Sequence, residues 1–157
     1  MYFLSGKKRK RSTSKRAVNE IQFDGPMFAF KDTDKGAVKL VEDRDVYINE
    51  KVLKKAKSSC CSPSHLTRFL TRAVFTSEAK GSCSVSGKPS LVKGQVVAEV
   101  RTKLDQEGVE AILEYVEHRS SKKGWRVPTA SAIKQYMANV LCEERAKLRL
   151  ADESSAD

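Results

Sequence analysis

Side chains able to read the edges of nucleic-acid bases recur at helical spacing within residues 128–149, PTASAIKQYMANVLCEERAKLR. One face of this predicted helix is small near its start and then mixes amides with cations; it carries Ser131, Lys134, Gln135, Ala138, Cys142 and Arg145. Small residues allow a helix to approach the major-groove floor closely, and amides and cations pair with base edges. Taken alone, the pattern favours an ordinary surface helix with a solvated face, because such helical wheels are common.

Individual side chains on this face suit different parts of a duplex. Gln135 and Asn139 are able to pair bidentately with adenine, although Asn139 lies toward the flank of the helix, and Lys134 can reach guanine. Ser131 and Ala132 suit a thymine methyl group or a phosphate. The candidate base contacts are Ser131, Lys134, Gln135, Ala138 and Asn139.

Side chains suited to phosphate lie in three places. Those directly before the helix are Lys122, Lys123, Arg126 and Thr129, and the free N–H groups of a helix start also bind anions. Arg68 and Arg72 are one turn apart on another predicted helix, where they form either a second phosphate clamp or surface ion pairs with glutamates. A polar loop at residues 81–103 is expected to be exposed, with a positive rim formed by Lys80, Lys88 and Lys93.

The helix that carries the amide face must be held by its opposite side. That side is an apolar stripe composed of Ile133, Tyr136, Met137, Val140, Leu141 and Leu148. Thr129 or Ser131 can cap the start of the helix by accepting a bond from a free backbone N–H. Trp125 precedes the helix, where a lone tryptophan is more often a core residue than a platform for a base.

Charge narrows the class of partner. The chain of 157 residues has a formal net charge of +10 and a pI near 9.5, which favours a polyanion, most often nucleic acid. A basic run near the N-terminus predicts a nuclear localisation signal or a non-specific DNA-binding arm, with a solubilising tail as the alternative; its residues are Lys7, Lys8, Arg9, Lys10 and Arg11. No apolar run approaches the roughly 20 residues of a membrane span, so we expect no membrane partner. The basic run leads us to expect a nuclear protein.

Neither a metal site nor an enzyme is predicted. The cysteines are Cys60, Cys61, Cys83 and Cys142. They form no CxxC pair, and the adjacent Cys60 and Cys61 are poorly arranged for joint binding of one zinc ion. A thiol nucleophile there with His65 as its base lacks an orienting acid and an oxyanion motif. We therefore expect reduced thiols, no metal, no cofactor and no catalysis.

The remaining periodicities predict a small all-α domain. VKLV and VYI, separated by a charged turn, predict a short β-hairpin at residues 38–48. Helices are predicted at residues 50–57, 64–75, 76–80 and 106–118, before the helix described above. In the second of these, Thr67 and Thr71 are predicted to lie outside with Arg68 and Arg72. The sum is a compact bundle of four to five helices with a long loop and at most a short β-hairpin.

Three segments follow from this order. Residues 1–37 are predicted to be a basic, disordered N-terminal segment and a lead-in that Phe28 and Phe30 staple to the domain. Residues 38–150 form the helical domain, with one core. Residues 151–157 are an acidic tail without core residues, which we expect to be disordered.

The ordered set of elements resembles the BEN domain family. In the first half the resemblance rests on VKLVEDRDVYI, EKVLKKAK, LTRFLTRAVFTSEA and GSCSVSGK. In the second half it rests on LDQEGVEAILEYV and WRVPTASAIKQYMANVLCEERAKL. About 110 residues are covered, and no single motif is sharp. One departure is Lys80, where the family often has a leucine, and it affects the packing of the short third helix.

The resemblance implies an all-α module that binds double-stranded DNA, often in nuclear, chromatin-associated repressors or insulator-type factors. In sequence-specific members the last helix lies in the major groove, which here assigns base reading to the outer face of residues 128–149. Some members bind palindromic sites as dimers, so a palindromic site, a homodimer and co-repressor or chromatin proteins are the expected partners. The alternative is a protein–protein adaptor module with only non-specific affinity for DNA.

Overall fold

The structure, a computed structural model, describes residues 19–21, 23–86, 91–92, 95–96 and 99–155. In these ranges the helices are α1 (Glu50–Ser59), α2 (Pro63–Val74), α3 (Ser77–Ser82), α4 (Gln106–Lys123) and α5 (Ala130–Ser155). The strands are β1 (Asn19–Ile21), β2 (Ala37–Lys39), β3 (Tyr47–Asn49), β4 (Leu91–Val92), β5 (Gln95–Val96) and β6 (Glu99–Arg101). The predicted all-α fold is confirmed.

Short strand pairs accompany the helices. The predicted hairpin is present, with β2 and β3 antiparallel and Val38 opposite Ile48. The other two pairs are β1 with β6, which is parallel, and β4 with β5, which is antiparallel. The parallel pair joins the lead-in to the segment before α4, so two segments about 80 residues apart in sequence are paired.

Each helix begins at a side chain that accepts a bond from a free backbone N–H. These caps are Asn49 for α1, Ser62 for α2, Thr76 for α3, Asp105 for α4 and Thr129 for α5. Pro63 follows its cap at the first turn of α2, where the missing N–H costs nothing. At the other end of α4, Gly124 adopts the left-handed conformation with φ of 70°, which glycine tolerates best.

Helix α2 lies at the centre of the domain and contacts α1, α4, α5 and β3. The prediction that Thr67 and Thr71 lie outside is wrong, because both are fully buried. Their hydroxyls donate to backbone oxygens one turn back, Thr67 to Pro63 at 2.7 Å and Thr71 to Thr67 at 2.8 Å. A threonine that satisfies its hydroxyl in this way can line a core, so two faces of α2 are covered rather than one.

The lead-in is fixed to the core by aromatic stacking. The rings of Phe28 and Phe75 lie 5.8 Å apart between centroids, as the predicted role of Phe28 requires. Backbone bonds from Ala29 to Val74 and from Thr76 to Met27 flank the stack. Gly108 lies beneath the rings, where an added Cβ would come within 2.8 Å of each.

In the described part of the predicted loop at residues 81–103, the two ends are partly buried. Gly81, Cys83 and Leu104 are buried, and Ser84 pairs with Lys103. Lys80 does not lie on a rim: its side chain is buried, and its Nζ donates to the backbone oxygen of Arg72 at 3.0 Å. Lys88, Lys93 and the basic run at residues 7–11 lie outside the described residues.

Helix α5 is longer than predicted. It starts two residues after Pro128 and runs six residues beyond Arg149 into the acidic segment, for a length of about 39 Å. Its first half packs on the core through Ile133, Met137, Val140 and Leu141, all fully buried. No described helix is both long enough and apolar enough to cross a membrane.

Candidate nucleic-acid interface

The outer face of α5 is accessible as predicted. Ser131, Lys134, Gln135 and Asn139 are exposed, and Ala138 is half-buried. On the opposite side, Ile133, Met137 and Leu141 of the predicted apolar stripe lie in the core, whereas Leu148 is half exposed. A polar face carried by a packed helix is held in register, as recognition of base edges demands.

Two amides on this face are linked to each other. Gln135 donates through Nε2 to Oδ1 of Asn139 at 3.1 Å. The bond leaves Oε1 of Gln135 as an acceptor and Nδ2 of Asn139 as a donor. An adenine edge in the major groove presents one donor and one acceptor, so the linked pair offers a complementary set across one helical turn.

The start of α5 faces the start of α2 across a cleft of about 500 Å³. Its lining residues are Ser62, Pro63, Ser64, Arg126, Val127, Pro128, Thr129, Ala132 and Tyr136. The Thr129 hydroxyl accepts from the Ala132 N–H at 3.1 Å, so its own hydrogen remains available for an anion. Arg126 is exposed beside this cap, and a side chain must be exposed to contact a phosphate.

The end of α4, which six residues of chain separate from α5, supplies further cations. Lys122 and Lys123 occupy its last turn and are exposed. In the described part of the chain, Lys122, Lys123 and Arg126 form no ion pair, so their charges are uncompensated there. Trp125 packs against the core, and its predicted role as a core residue is confirmed.

Arg68 and Arg72 lie on α2 beside α5, where both contact the carboxylate of Glu143. Nη2 of Arg72 is 2.5 Å from Oε2 of Glu143, and Arg68 approaches Oε1. The hydrogen bond from Arg68 is the main reason that the pKa of Glu143 lies below its ordinary value. The sequence left two roles open for Arg68 and Arg72, a phosphate clamp or surface ion pairs with glutamates. The structure shows the ion pairs.

Glu143 is the residue in this region that the sequence analysis did not select. It lies four residues after Asn139, hence one turn further along the same flank of α5. The spacing alone indicates that an acid at this position lies on the flank of α5 next to the amide pair, where it faces any helix that packs there. Pairing it with Arg68 and Arg72 required the packing of α2 against α5, which no local pattern specifies.

A separate charge cluster ties the hairpin to α4. Arg44, in the β2–β3 turn, lies 2.6 Å from Glu110 and 2.9 Å from Glu114, and it also contacts Glu107. Its guanidinium helps to lower the pKa of Glu110, after the larger effect of the Gln106 hydrogen bond. Among the described residues no group of three or more metal-binding side chains forms a metal site.

The chain matches a protein-family model and a solved structure. The BEN domain family model matches residues 65–141. The crystal structure of the insv BEN domain complexed to its DNA target site superposes with a TM-score of 0.63 at 20% identity, covering 78% of this chain and 99% of that one. No curated protein matches the chain. The structural likeness supports the fold, and the family match lies over α2, α3, α4 and the first half of α5.

Proposed function

Because this chain carries a BEN domain, we propose that it binds double-stranded DNA and reads its sequence through the outer face of α5. The observation that carries the proposal is the exposed polar face of α5, backed by the fully buried Ile133, Met137, Val140 and Leu141. The insv BEN domain was crystallised with its DNA target site, which supports DNA as the partner. We further propose that the protein acts in the nucleus as a repressor or insulator-type regulator of transcription.

The proposed roles follow chemistry and position. Gln135 and Asn139 read adenine, Lys134 reads guanine, and Ser131 and Ala138 allow close approach to a groove wall. Phosphates are held by Lys122, Lys123, Arg126, Thr129, Arg68 and Arg72, with Lys88 and the basic run at residues 7–11 as further proposed contacts. The net charge of +10 supports an affinity in which neutralised phosphates supply the larger share.

Selection of bound duplexes from a random pool, with the full chain at near-physiological salt, tests sequence reading. We expect an enriched motif of a few base pairs, and a palindromic motif would support a dimer on DNA. A flat pool with measurable binding would contradict sequence reading while leaving non-specific DNA binding in place. Light scattering with and without the selected duplex then measures the proposed dimer directly.

A protein–protein adaptor is the second candidate, and the far end of α5 favours it. Leu148 and Leu150 are 50% and 66% exposed, and exposed apolar side chains suit a protein partner. The salt dependence of DNA binding, measured with an unrelated duplex as competitor, separates the two functions. Full competition by the unrelated duplex would favour the adaptor, and resistance to it would favour sequence reading.

A further inference from the structure

Glu143 places a negative charge beside the face of α5 that we propose contacts DNA. It lies one turn beyond Asn139, on the flank that faces α2. An isolated carboxylate at such a position would repel the phosphates that border a major groove. The two arginines of α2 remove that difficulty, because each contacts one oxygen of the carboxylate.

The cluster has the composition of an anion site that already holds an anion. Two guanidinium groups share the carboxylate of Glu143, so it balances only one of the two arginines, and Arg72 has Glu144 as its second acidic neighbour. Nε of Arg68 is buried without a hydrogen-bond partner among the described residues, so one donor is left over. Guanidinium forks match carboxylate and phosphate geometry alike, and a backbone phosphate presents two charged oxygens, as Glu143 does.

The contacts are open enough for exchange. The side chains of Arg68, Arg72 and Glu143 are 36%, 39% and 40% exposed. Surface ion pairs of this kind are weak, because water competes for both partners. A phosphate that reaches the cluster can therefore replace Glu143 without opening the core.

A second row of charges keeps Arg72 in place when Glu143 leaves. Nε of Arg72 lies 4.0 Å from Glu144, which also pairs with Lys147 at 3.6 Å. The buried Nζ of Lys80 donates to the backbone oxygen of Arg72 at 3.0 Å. The end of α2 is thus fixed from two sides, independently of Glu143.

We infer that Arg68 and Arg72 form a binding site for a DNA backbone phosphate, and that Glu143 occupies this site in the free protein as an internal competitor. The inference rests on the proposed function, and it adds a mechanism by which the affinity for DNA is held down. Binding of the duplex exchanges the carboxylate for a phosphate, and Glu143 turns to solvent. Removing its charge should therefore strengthen binding, although the residue lies at the proposed interface.

The decisive variant is Glu143→Gln, compared with Glu117→Gln on the exposed surface of α4, which changes the net charge equally. Fluorescence anisotropy with a labelled duplex, over a series of salt concentrations, gives Kd and its salt slope. We expect Glu143→Gln to bind roughly tenfold more tightly with a nearly unchanged slope, because both proteins neutralise the same phosphates in the complex. Glu117→Gln should change Kd less than about twofold, since exposed isolated charges contribute little. Thermal unfolding of each variant checks that the fold is retained.

A second set of variants tests the site without relying on Glu143→Gln alone. Arg68→Gln with Arg72→Gln should weaken binding more in the Glu143→Gln background than in the natural one, because only in the natural protein must the bonds to Glu143 break before the arginines bind a phosphate. Duplexes with one neutral methylphosphonate, scanned along each strand, should reveal a phosphate whose loss weakens the natural protein and leaves the double arginine variant unaffected.

The outcomes separate the inference from the proposed function. If the natural protein binds a duplex and Glu143→Gln binds equally or more weakly while still folded, the internal competitor is excluded. If the arginine effect is the same in both backgrounds, the exchange is excluded as well. If the natural protein binds no duplex at any salt concentration, the proposed function falls, and the inference falls with it.

Discussion

Gln135 and Asn139 share a hydrogen bond of 3.1 Å across one turn of α5, on the exposed side of the helix. The bond fixes two flexible amides relative to each other before any ligand arrives. Preorganised polar groups lose less conformational entropy on binding than free ones. In the proposed reading of bases the two amides would therefore act as one unit, and their contributions should not be independent.

Gln135→Ala should lower discrimination between the selected site and a variant site and leave non-specific binding nearly unchanged. A good bidentate pair contributes roughly 1–3 kcal/mol of discrimination. In a double-mutant cycle with Asn139→Ala, the two losses should be markedly non-additive. Competition binding measures the ratio of the two Kd values, with Gln106→Ala on α4 as the control. Unchanged discrimination would remove Gln135 from base reading.

Lys122→Ala combined with Lys123→Ala should weaken binding to every duplex to a similar extent. Each phosphate contact contributes about 0.9 to the slope of log K against log salt, so the slope should flatten by roughly two units. Titrations at several salt concentrations measure it. The control, Lys31→Ala with Lys35→Ala, removes two exposed lysines of the lead-in. A slope identical to that of the natural protein would show that neither lysine of α4 contacts a phosphate.

Gly108→Ala should destabilise the fold even though alanine favours a helix by about 1 kcal/mol over glycine. The new methyl group would lie within 2.8 Å of the Phe28 and Phe75 rings, and such overpacking costs roughly 1–3 kcal/mol. Urea denaturation measures the free energy of unfolding. Phe28→Leu in the same chain should recover part of the loss, because it removes one of the rings. Equal or higher stability of Gly108→Ala would mean that the stack yields readily.

Arg44→Ala should destabilise the domain most at low salt. Without the guanidinium, Glu107, Glu110 and Glu114 repel one another along one face of α4. Salt screens that repulsion, so the deficit relative to the natural protein should shrink as sodium chloride is added. Thermal unfolding over a salt series follows the effect, with Lys39→Ala as the single-pair control. A deficit that does not depend on salt would point to lost packing instead.

Lys80 gives a dependence of stability on pH. Burial lowers its pKa in the folded protein, and Glu144 only partly offsets this effect, whereas an unfolded lysine titrates near about 10.4. At a pH between the folded and the unfolded pKa, Lys80 holds its proton in the unfolded chain but not in the folded one. The folded state therefore gains stability as the pH rises through this range. Relative to Lys80→Leu, the natural protein should therefore gain stability as the pH rises toward the pKa of an unfolded lysine. A constant difference in the free energy of unfolding across that range would contradict the shift.

The helices could be predicted from sequence because their signals are local. Periodic apolar residues and capping side chains such as Ser62 and Asp105 specify where a helix begins and which side it buries. The amide face of α5 follows from the same arithmetic, since residues four apart share a side. The exposure of Gln135 and Asn139 needed only the burial of the opposite stripe.

What the sequence could not supply depends on contacts between distant segments. The sequence predicts Thr67 and Thr71 on the outside because hydroxyls usually face water. However, α2 is covered on two sides, and the two threonine hydroxyls donate to backbone oxygens within the helix. The sequence predicts Lys80 to be a surface cation, but α3 packs against α5 and the Lys80 side chain is buried. The partnership of Glu143 with Arg68 and Arg72 spans about 70 residues of chain, beyond the reach of any local rule.

The distribution of charge along α4 has a consequence for how the molecule meets a partner. Glu107, Glu110 and Glu114 lie in its first half, and Lys122 and Lys123 lie in its last turn beside the start of α5. A body polarised in this way experiences a torque in the field of a polyanion, so it turns its basic end forward while still separated from it. The approach is then oriented before contact, and a larger fraction of collisions begins with α5 facing the partner. Charge on α4 should accordingly act on the association rate, and salt should slow that step.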